Sequence, residues 1–470
     1  MTTKQTPRGA EGSVQAALRL LASGNARLVS IFGAVDDGGA KRVRYIADVN
    51  REYRIISVPV TGKHPSATLI SPAADWYERE LHDRYGIEID GHPDLRPLVS
   101  HPAEYSFLEV QGVGVCELPV GPVHAGMIEP GHFRFSVMGD TVLHLELRLF
   151  YTHKGTEKLF EGASIMNGPA LAESVSGDNC FSHAVAYSQS IENAFGISVP
   201  PRGRAIRLLG LELERMMAHI GDVGALCGDV GCTVPVPYTS RIKESLVQAS
   251  ARFFGTRYWR GIAVPGGVRR DLSAEGARAL GRVVADAAAD FAEMARIILD
   301  TPSVQNRFEG TGVLASKIAR DLGVVGPAAR ASGVRIDVRH DHPYGHYRNI
   351  AVEIPHFPRG DVLSRARQRI EETRVSARLM QDTLNELAAG IICTPVPCDG
   401  SAEGFSAVES PRGELLYWVR IRNGQIDRCH IKSPSFQNWP SLPFAVHGDI
   451  TADFPLINKS FNLSYSGCDR

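Results

Sequence analysis

His132-Phe133-Arg134-Phe135-Ser136-Val137-Met138-Gly139-Asp140, followed directly by Thr141-Val142-Leu143-His144-Leu145-Glu146-Leu147-Arg148-Leu149-Phe150-Tyr151, is the stretch where this sequence changes character. Two runs rich in β-branched and aromatic residues flank Gly139-Asp140, so a hairpin is expected here. Beyond it the chain reads as mainly helical. Leu209, Leu213, Met216 and Ile220 fall on one face of an amphipathic helix. Ala/Arg/Glu-rich helical stretches follow over 274–299 and 363–389, each ending near Gly or Pro. A helical bundle with β excursions is expected from about residue 117 to 470.

Upstream of the hairpin the pattern is mixed. Residues 1–13 read as a disordered tail. From Val14 to His92, the runs ARLVSIFGAV, KRVRYIADV and YRIISVPV are strand-like and separated by Gly and Asp turns. Ser71 and Pro72 suit the N-cap and first position of a short helix reaching Glu80. The Pro- and His-containing segment 93–116 reads as a connection. The fold class is therefore α+β: a small α/β N-terminal domain, then the mainly helical domain.

Bulk properties exclude several function classes. The 470 residues suffice for two or three domains, and 51 basic against 52 acidic residues give no broad attraction to nucleic acid or anionic lipid. No apolar run approaches the roughly 20 residues that span a bilayer. The N-terminus lacks the apolar core of a secretory signal. A cytoplasmic chain is expected, touching the membrane only through partners. The eight cysteines form no Cys-x-x-Cys pair, which excludes zinc ribbons and ferredoxin-type cluster runs. Six of them, all but Cys180 and Cys468, are expected to be mostly buried small hydrophobes. Gly112-Val113-Gly114 is a lone Gly-x-Gly and does not make a dinucleotide fingerprint.

Two sets of motifs carry a family resemblance. Glu78-Arg79-Glu80 through Asp83-Arg84-Tyr85-Gly86-Ile87, with Gly91-His92-Pro93-Asp94-Leu95-Arg96, resembles the C subunit of NADH:quinone oxidoreductase (complex I). Gly121-Pro122-Val123-His124-Ala125-Gly126, Ile128–Phe135, Tyr151–Leu159, Glu212-Leu213-Glu214-Arg215 with His219, Pro265-Gly266-Gly267-Val268, and Asp337-Val338-Arg339 with Asp341-His342-Pro343-Tyr344 resemble the D subunit and its hydrogenase cousins. The two sets run in family order over nearly the whole chain. Fused C and D modules most resemble the large subunit of formate hydrogenlyase-type, energy-converting [NiFe] hydrogenases.

The resemblance implies a Ni–Fe centre held by four cysteines, because soft thiolates suit these metals. The corresponding positions here read Ser176, Asn179, Ser464 and Gly467. A hydroxyl is too weakly acidic to replace a thiolate and glycine has no side chain, so no ordinary Ni–Fe centre, and no other resident cofactor, is expected in this chain. Cys180 and Cys468 each lie one residue past a lost ligand. With His183 or Asp178 they would make a displaced metal site or a redox disulfide; as buried, inert thiols they would make neither. Relatives commonly carry a C-terminal extension removed once nickel is inserted, and an end at Arg470 fits a subunit that needs no such step.

By the same resemblance Glu129 matches a glutamate that carries protons from the metal site, and Arg412 matches an arginine above it. A buried pair of these could move protons or serve as a structural ion pair. His124, His132, His153 and His219 are individually expected as hydrogen-bonded core residues, and together as a candidate proton path. The two positions that bind the quinone head in complex I hold Ile128 and Ser174, neither of which can replace the usual His and Tyr. The implied partners are a small subunit with a [4Fe–4S] cluster and antiporter-like membrane subunits, in a complex coupling electron transfer to ion translocation. A non-catalytic scaffold or conformational coupler, and a quinone reductase using unusual residues, are the alternatives.

Overall fold

The computed structural model describes residues 10–36, 38–397 and 399–470, so Cys398 and the first nine residues lie outside it. The first sheet is built from β1 (Ala10–Glu11), β2 (Ala26–Val35), β3 (Lys41–Val49) and β4 (Glu52–Pro59), in the order β1-β4-β3-β2. β2, β3 and β4 pair antiparallel, whereas β1 runs parallel to β4 with Ala10 opposite Ile56. Residues 10–11, read from sequence as tail, thus extend the sheet. α1 (Val14–Ala22) packs on it, its N-terminus capped by Ser13, whose Oγ accepts from the Ala16 amide. The Ser71–Pro72 signal opens a short 3-10 turn over Pro72–Ala74, without a side-chain cap; α2 (Asp75–Tyr85) follows and ends on Gly86 at φ +60°.

The decisive hairpin forms as expected. β5 (Val115–Val120), β6 (His132–Met138) and β7 (Thr141–Arg148) make a three-stranded antiparallel sheet. Met138 faces Thr141 across a two-residue turn in which Gly139 takes φ +60°. The helical layer comprises α3 (Cys180–Phe195), α4 (Pro201–Asp229), α5 (Pro235–Phe254), α6 (Ala274–Asp300) and α7 (Val362–Asn385). α4 is its axis. Leu209, Leu213, Met216 and Ile220 are wholly buried, and α4 packs against both α5 and α7. α4 stops at a left-handed Gly231, with the Gly231 amide bonded to the Gly228 carbonyl and the Cys232 amide to that of Cys227. α6 buries Leu280, Val284, Ala287, Phe291, Met294 and Ile298, the three- and four-residue spacing of a one-sided helix.

A second three-stranded antiparallel sheet, β8 (Ala402–Ser410), β9 (Gly413–Arg422) and β10 (Gln425–Lys432), lies against α3. Gly404 permits the contact, since a Cβ there would sit 1.9 Å from the Ser190 carbonyl oxygen. Two short helices, α8 (Phe454–Phe461) and α9 (Tyr465–Asp469), close the chain.

The two parts of the chain share one continuous apolar core. Ion pairs add direction to it. Arg27 of β2 holds Glu414 of β9 through two bonds of 2.9 and 2.8 Å, and Lys432 and the Tyr53 hydroxyl reach the same carboxylate at 2.8 and 2.7 Å. Arg44 pairs with Glu403 at 2.8 Å, His430 stacks on Phe32, and Arg470 reaches Glu80 of α2 at 2.7 Å. Because Glu414 is wholly buried, removing it strands the buried Lys432 ammonium. Glu414→Ala is expected to lower unfolding stability by about 3–5 kcal/mol in urea titration. Arg241→Ala, which breaks an exposed pair with Asp290, should cost no more than about 1 kcal/mol. Equal losses for the two would contradict the assignment.

Candidate functional site

Three turns converge at one depression. The first is the segment Ser176–Asn179, where Asn179 occupies the N-cap position of α3. The second is Ser464, which caps α9 by accepting the Gly467 amide at 2.8 Å. The third is Pro411-Arg412, the tight turn between β8 and β9. The four positions Ser176, Asn179, Ser464 and Gly467 are therefore brought together. Ser176 Oγ lies 3.1 Å from Ser464 Oγ and 3.0 Å from Asp178 Oδ1.

The Arg412 guanidinium bridges two of the converging segments. It donates to the Asn179 side-chain oxygen, to Asp178 Oδ2 at 2.6 Å and to the Asn462 carbonyl. Burial alone would raise the Asp178 carboxyl, but the facing Arg412 charge and its hydrogen bonds hold it down at about 2. The Asp178 side chain is itself 56% exposed because it opens into the depression, so this pair is screened by solvent and adds little to stability. The cavity, about 580 Å³, is lined by His124, Ile128, Glu129, Asp178, Arg412 and Tyr465 among others.

Glu129 differs from expectation. It is exposed, in the loop between β5 and β6, and accepts the Ser466 amide at 2.8 Å. Arg412 pairs with Asp178 instead, so the two residues do not form the buried couple read from the sequence; the exposed loop keeps Glu129 in solvent. Ile128 is 43% exposed at the cavity mouth. Ser174 turns its hydroxyl onto the Leu171 carbonyl, and its own carbonyl accepts Lys154. The histidines also separate. His183 donates or accepts at the Tyr417 hydroxyl (2.8 Å), and burial pushes its pKa down to about 3. His219 bonds Glu372, His132 bonds the Gly121 carbonyl, and His153 is an exposed residue on the Asp469 carbonyl. Of the histidines only His124 lines the cavity among the described residues.

Cys180 and Cys468 are both buried free thiols. Cys180 points at the Tyr258 carbonyl (3.1 Å), and burial raises both thiols well above the ordinary cysteine range. Among the described residues no group of three or more His, Cys, Asp and Glu side chains is placed to hold a metal ion. Of the six other cysteines, Cys227 and Cys429 are buried and Cys116 is exposed, since β5 is an edge strand with an open face.

Two site residues carried no mark of their own in the sequence. Lys154 ties the Ser174 and Val175 carbonyls (2.7 and 3.3 Å) to Ser466 Oγ (2.6 Å), joining the two ends of the site. Glu214 of α4 accepts the Phe181 and Ser182 amides (2.8 and 3.1 Å) at the start of α3. Both lie inside the quoted motifs, where identity alone does not tell a site residue from a packing one.

Comparison with known proteins gives the class of this mixed helix-and-sheet chain, a complex I-type subunit. Residues 10–107 match the respiratory-chain NADH dehydrogenase 30 Kd subunit family, and residues 229–399 and 396–470 match its 49 Kd subunit family. The chain belongs to this family, with both modules in one polypeptide. It is 34% identical over 439 residues to hydrogenase-4 component G of Escherichia coli, covering 86% of this chain and 76% of that protein. Formate hydrogenlyase subunit 5 of the same organism is 33% identical over 445 residues, covering 87% and 77%. Among solved structures, a chain of the membrane-bound sulfane sulfur reductase, an archaeal respiratory membrane complex, superposes with a TM-score of 0.70 at 26% identity, over 76% of this chain and 99% of that one. No described helix is long and apolar enough to cross a membrane.

Burial raises the Glu214 carboxyl from 4.5 to about 7, against the hydrogen bonds it accepts. A carboxyl raised in this way stabilises the fold while protonated, fully below the unfolded value and progressively less as pH rises through about 7. Glu214→Gln, which cannot ionise, should therefore gain stability relative to wild type between about pH 4.5 and 7. Urea titrations across that range check it, and parallel curves for the two proteins would rule it out.

Proposed function

We propose that this chain is a peripheral, cytoplasmic-side subunit of a membrane-bound, hydrogenase-related complex that couples electron transfer to ion translocation without a Ni–Fe centre. In this reading residues 14–92 form the C-subunit-like domain, residues 93–116 the link and residues 117–470 the large-subunit-like domain. A small subunit carrying a [4Fe–4S] cluster and antiporter-like membrane subunits are its partners.

One observation carries the nickel-free part. The four positions that would present thiolates hold each other and Arg412: two hydroxyls in contact, an amide bonded to the guanidinium, and a glycine. These donors do not fit nickel and iron, which take soft sulfur ligands. A side chain at 467 would begin 3.0 Å from Ser464 Oγ, and a cationic guanidinium already occupies the neighbouring polar contacts. The cavity beside Asp178 and Arg412 is where an acceptor of electrons delivered by the small subunit would bind, with Glu129 and His124 at its rim as the proton-exchanging groups.

The contacts that Ser176, Ser464, Asn179 and Gly467 make with one another and with Arg412 also support a second reading, a scaffold or conformational coupler with no turnover of its own. A quinone reductase is a weaker reading, because Ile128 at the cavity mouth offers no hydrogen bond.

The test is the complex purified intact. Metal analysis should find nickel far below one per complex, and hydrogen uptake should be absent. Stoichiometric nickel with hydrogen-dependent reduction of a dye would overturn the proposal. Freeze-quench spectroscopy of the cluster separates the other two cases: reoxidation that slows in Asp178→Asn marks turnover at the cavity, and indifference to that change marks a scaffold.

A further inference from the structure

A second cavity, about 440 Å³, shares no lining residue with the site above. It lies between the end of α3, the Gly196–Val199 connection, the first turns of α4 and the segment Tyr344–Arg348. Four basic side chains line it: Arg204, Arg207, His346 and Arg348, of which Arg207 is paired with Glu192. Among the described residues neither Arg204 nor Arg348 has a carboxylate within ion-pair distance. Among the described residues, Arg204 Nε is buried with no hydrogen-bond partner, and Arg348 donates only to the Pro343 carbonyl (3.1 Å).

The one carboxylate in the wall is already used. Glu192 is held by both terminal nitrogens of Arg207, one at 2.9 Å, and accepts the Gly266 amide at 2.7 Å. Burial and then the Arg204 charge lower the proton affinity of both His346 and Arg348, with Glu386 opposing at His346. The like charges are thus close enough to repel. A fold that holds two guanidiniums together without a counter-charge stores an unfavourable interaction that an anion relieves. The other wall is apolar, with Val199, Leu208 and Leu211 beside Tyr344. The volume lies in the range of small-molecule pockets and exceeds what a bare oxyanion fills.

We propose that this cavity binds a small organic oxyanion, with Arg204 and Arg348 clamping a phosphate or carboxylate group and Val199, Leu208 and Leu211 receiving its apolar body. A guanidinium fork suits either oxyanion, and arginine in preference to lysine at both positions favours bidentate recognition.

Titration calorimetry on the full chain with phenyl phosphate, benzoate and inorganic phosphate tests this. Saturable binding is expected for at least one of the two aromatic anions, tighter than for inorganic phosphate and weakened by salt. Phenyl phosphate binding tighter than benzoate marks a phosphate ligand, and the reverse a carboxylate. Arg348→Gln, at an exposed position, should weaken binding at least tenfold with the melting temperature unchanged, and Arg204→Gln should do the same. Arg241→Gln, in α5 and outside the cavity lining, should leave it intact. No saturable binding of any probe, equal binding by Arg348→Gln, or inorganic phosphate binding as tightly as both aromatic anions would overturn the proposal.

Discussion

A charge carried into the interior of this chain must bring its counter-charge with it, and that obligation decides which distant segments meet. Arg330 and Arg339, both wholly buried, are matched by Glu372, Glu409, Asp337 and Glu212 at 2.7–3.0 Å, drawn from α4, α7, β8 and the loop before Tyr344. Tyr347 and Ser376 complete the Glu212 carboxylate. A buried ion left without its partner is far more costly than the pair is favourable. Such a lattice therefore specifies one arrangement of the helices where apolar packing alone would tolerate several. α4 takes part through Glu212, which meets both Arg339 and its own Arg215, and through His219, which meets Glu372.

The same rule shapes the depression between Ser176 and Ser464. Arg412 is held on a tight turn whose backbone is itself pinned, since a Cβ at Gly413 would meet the Gly326 amide at 2.6 Å. The guanidinium then draws Asp178, Asn179 and Asn462 to it from two other segments. Polar groups of the protein thus answer one another across the space between α3 and α9. What stays open is the mouth, where Asp178, Glu129 and His124 meet solvent.

The sequence made much of this legible, and unevenly. The 132–151 hairpin, the one-sided helix at 274–300 and the α4 face were readable because periodicity and turn chemistry are local signals. β8 to β10 were foreseen only as unspecified excursions, since strands buried on both faces lose the alternation that marks a half-exposed strand; Phe405 to Ser410 are buried without a break. α1 was missed for a different reason, a nine-residue helix lying among strong strand runs. At the site, the motifs name Ser176, Asn179, Ser464 and Gly467 together, and in the structure the Ser176 and Ser464 hydroxyls lie 3.1 Å apart. The partner of Arg412 could not be read, because Glu129 and Asp178 are equally good acids in a string of letters and only the loop's path separates them. Glu214 and Lys154 act by meeting backbone groups of segments far away in sequence, and no local pattern records that.

The ties between the N-terminal sheet and the rest of the chain carry one further consequence. Arg27 on Glu414, Arg44 on Glu403, Arg470 on Glu80 and His342 on Asp48 join the two parts across a shared apolar core. The backbone between residues 99 and 114, by contrast, has no regular secondary structure. Severing the peptide there would leave two fragments still complementary over the whole seam. Covalent continuity in this protein therefore serves stoichiometry: each large module is made with its small one already at hand, at a local concentration that two separate polypeptides would have to reach by diffusion.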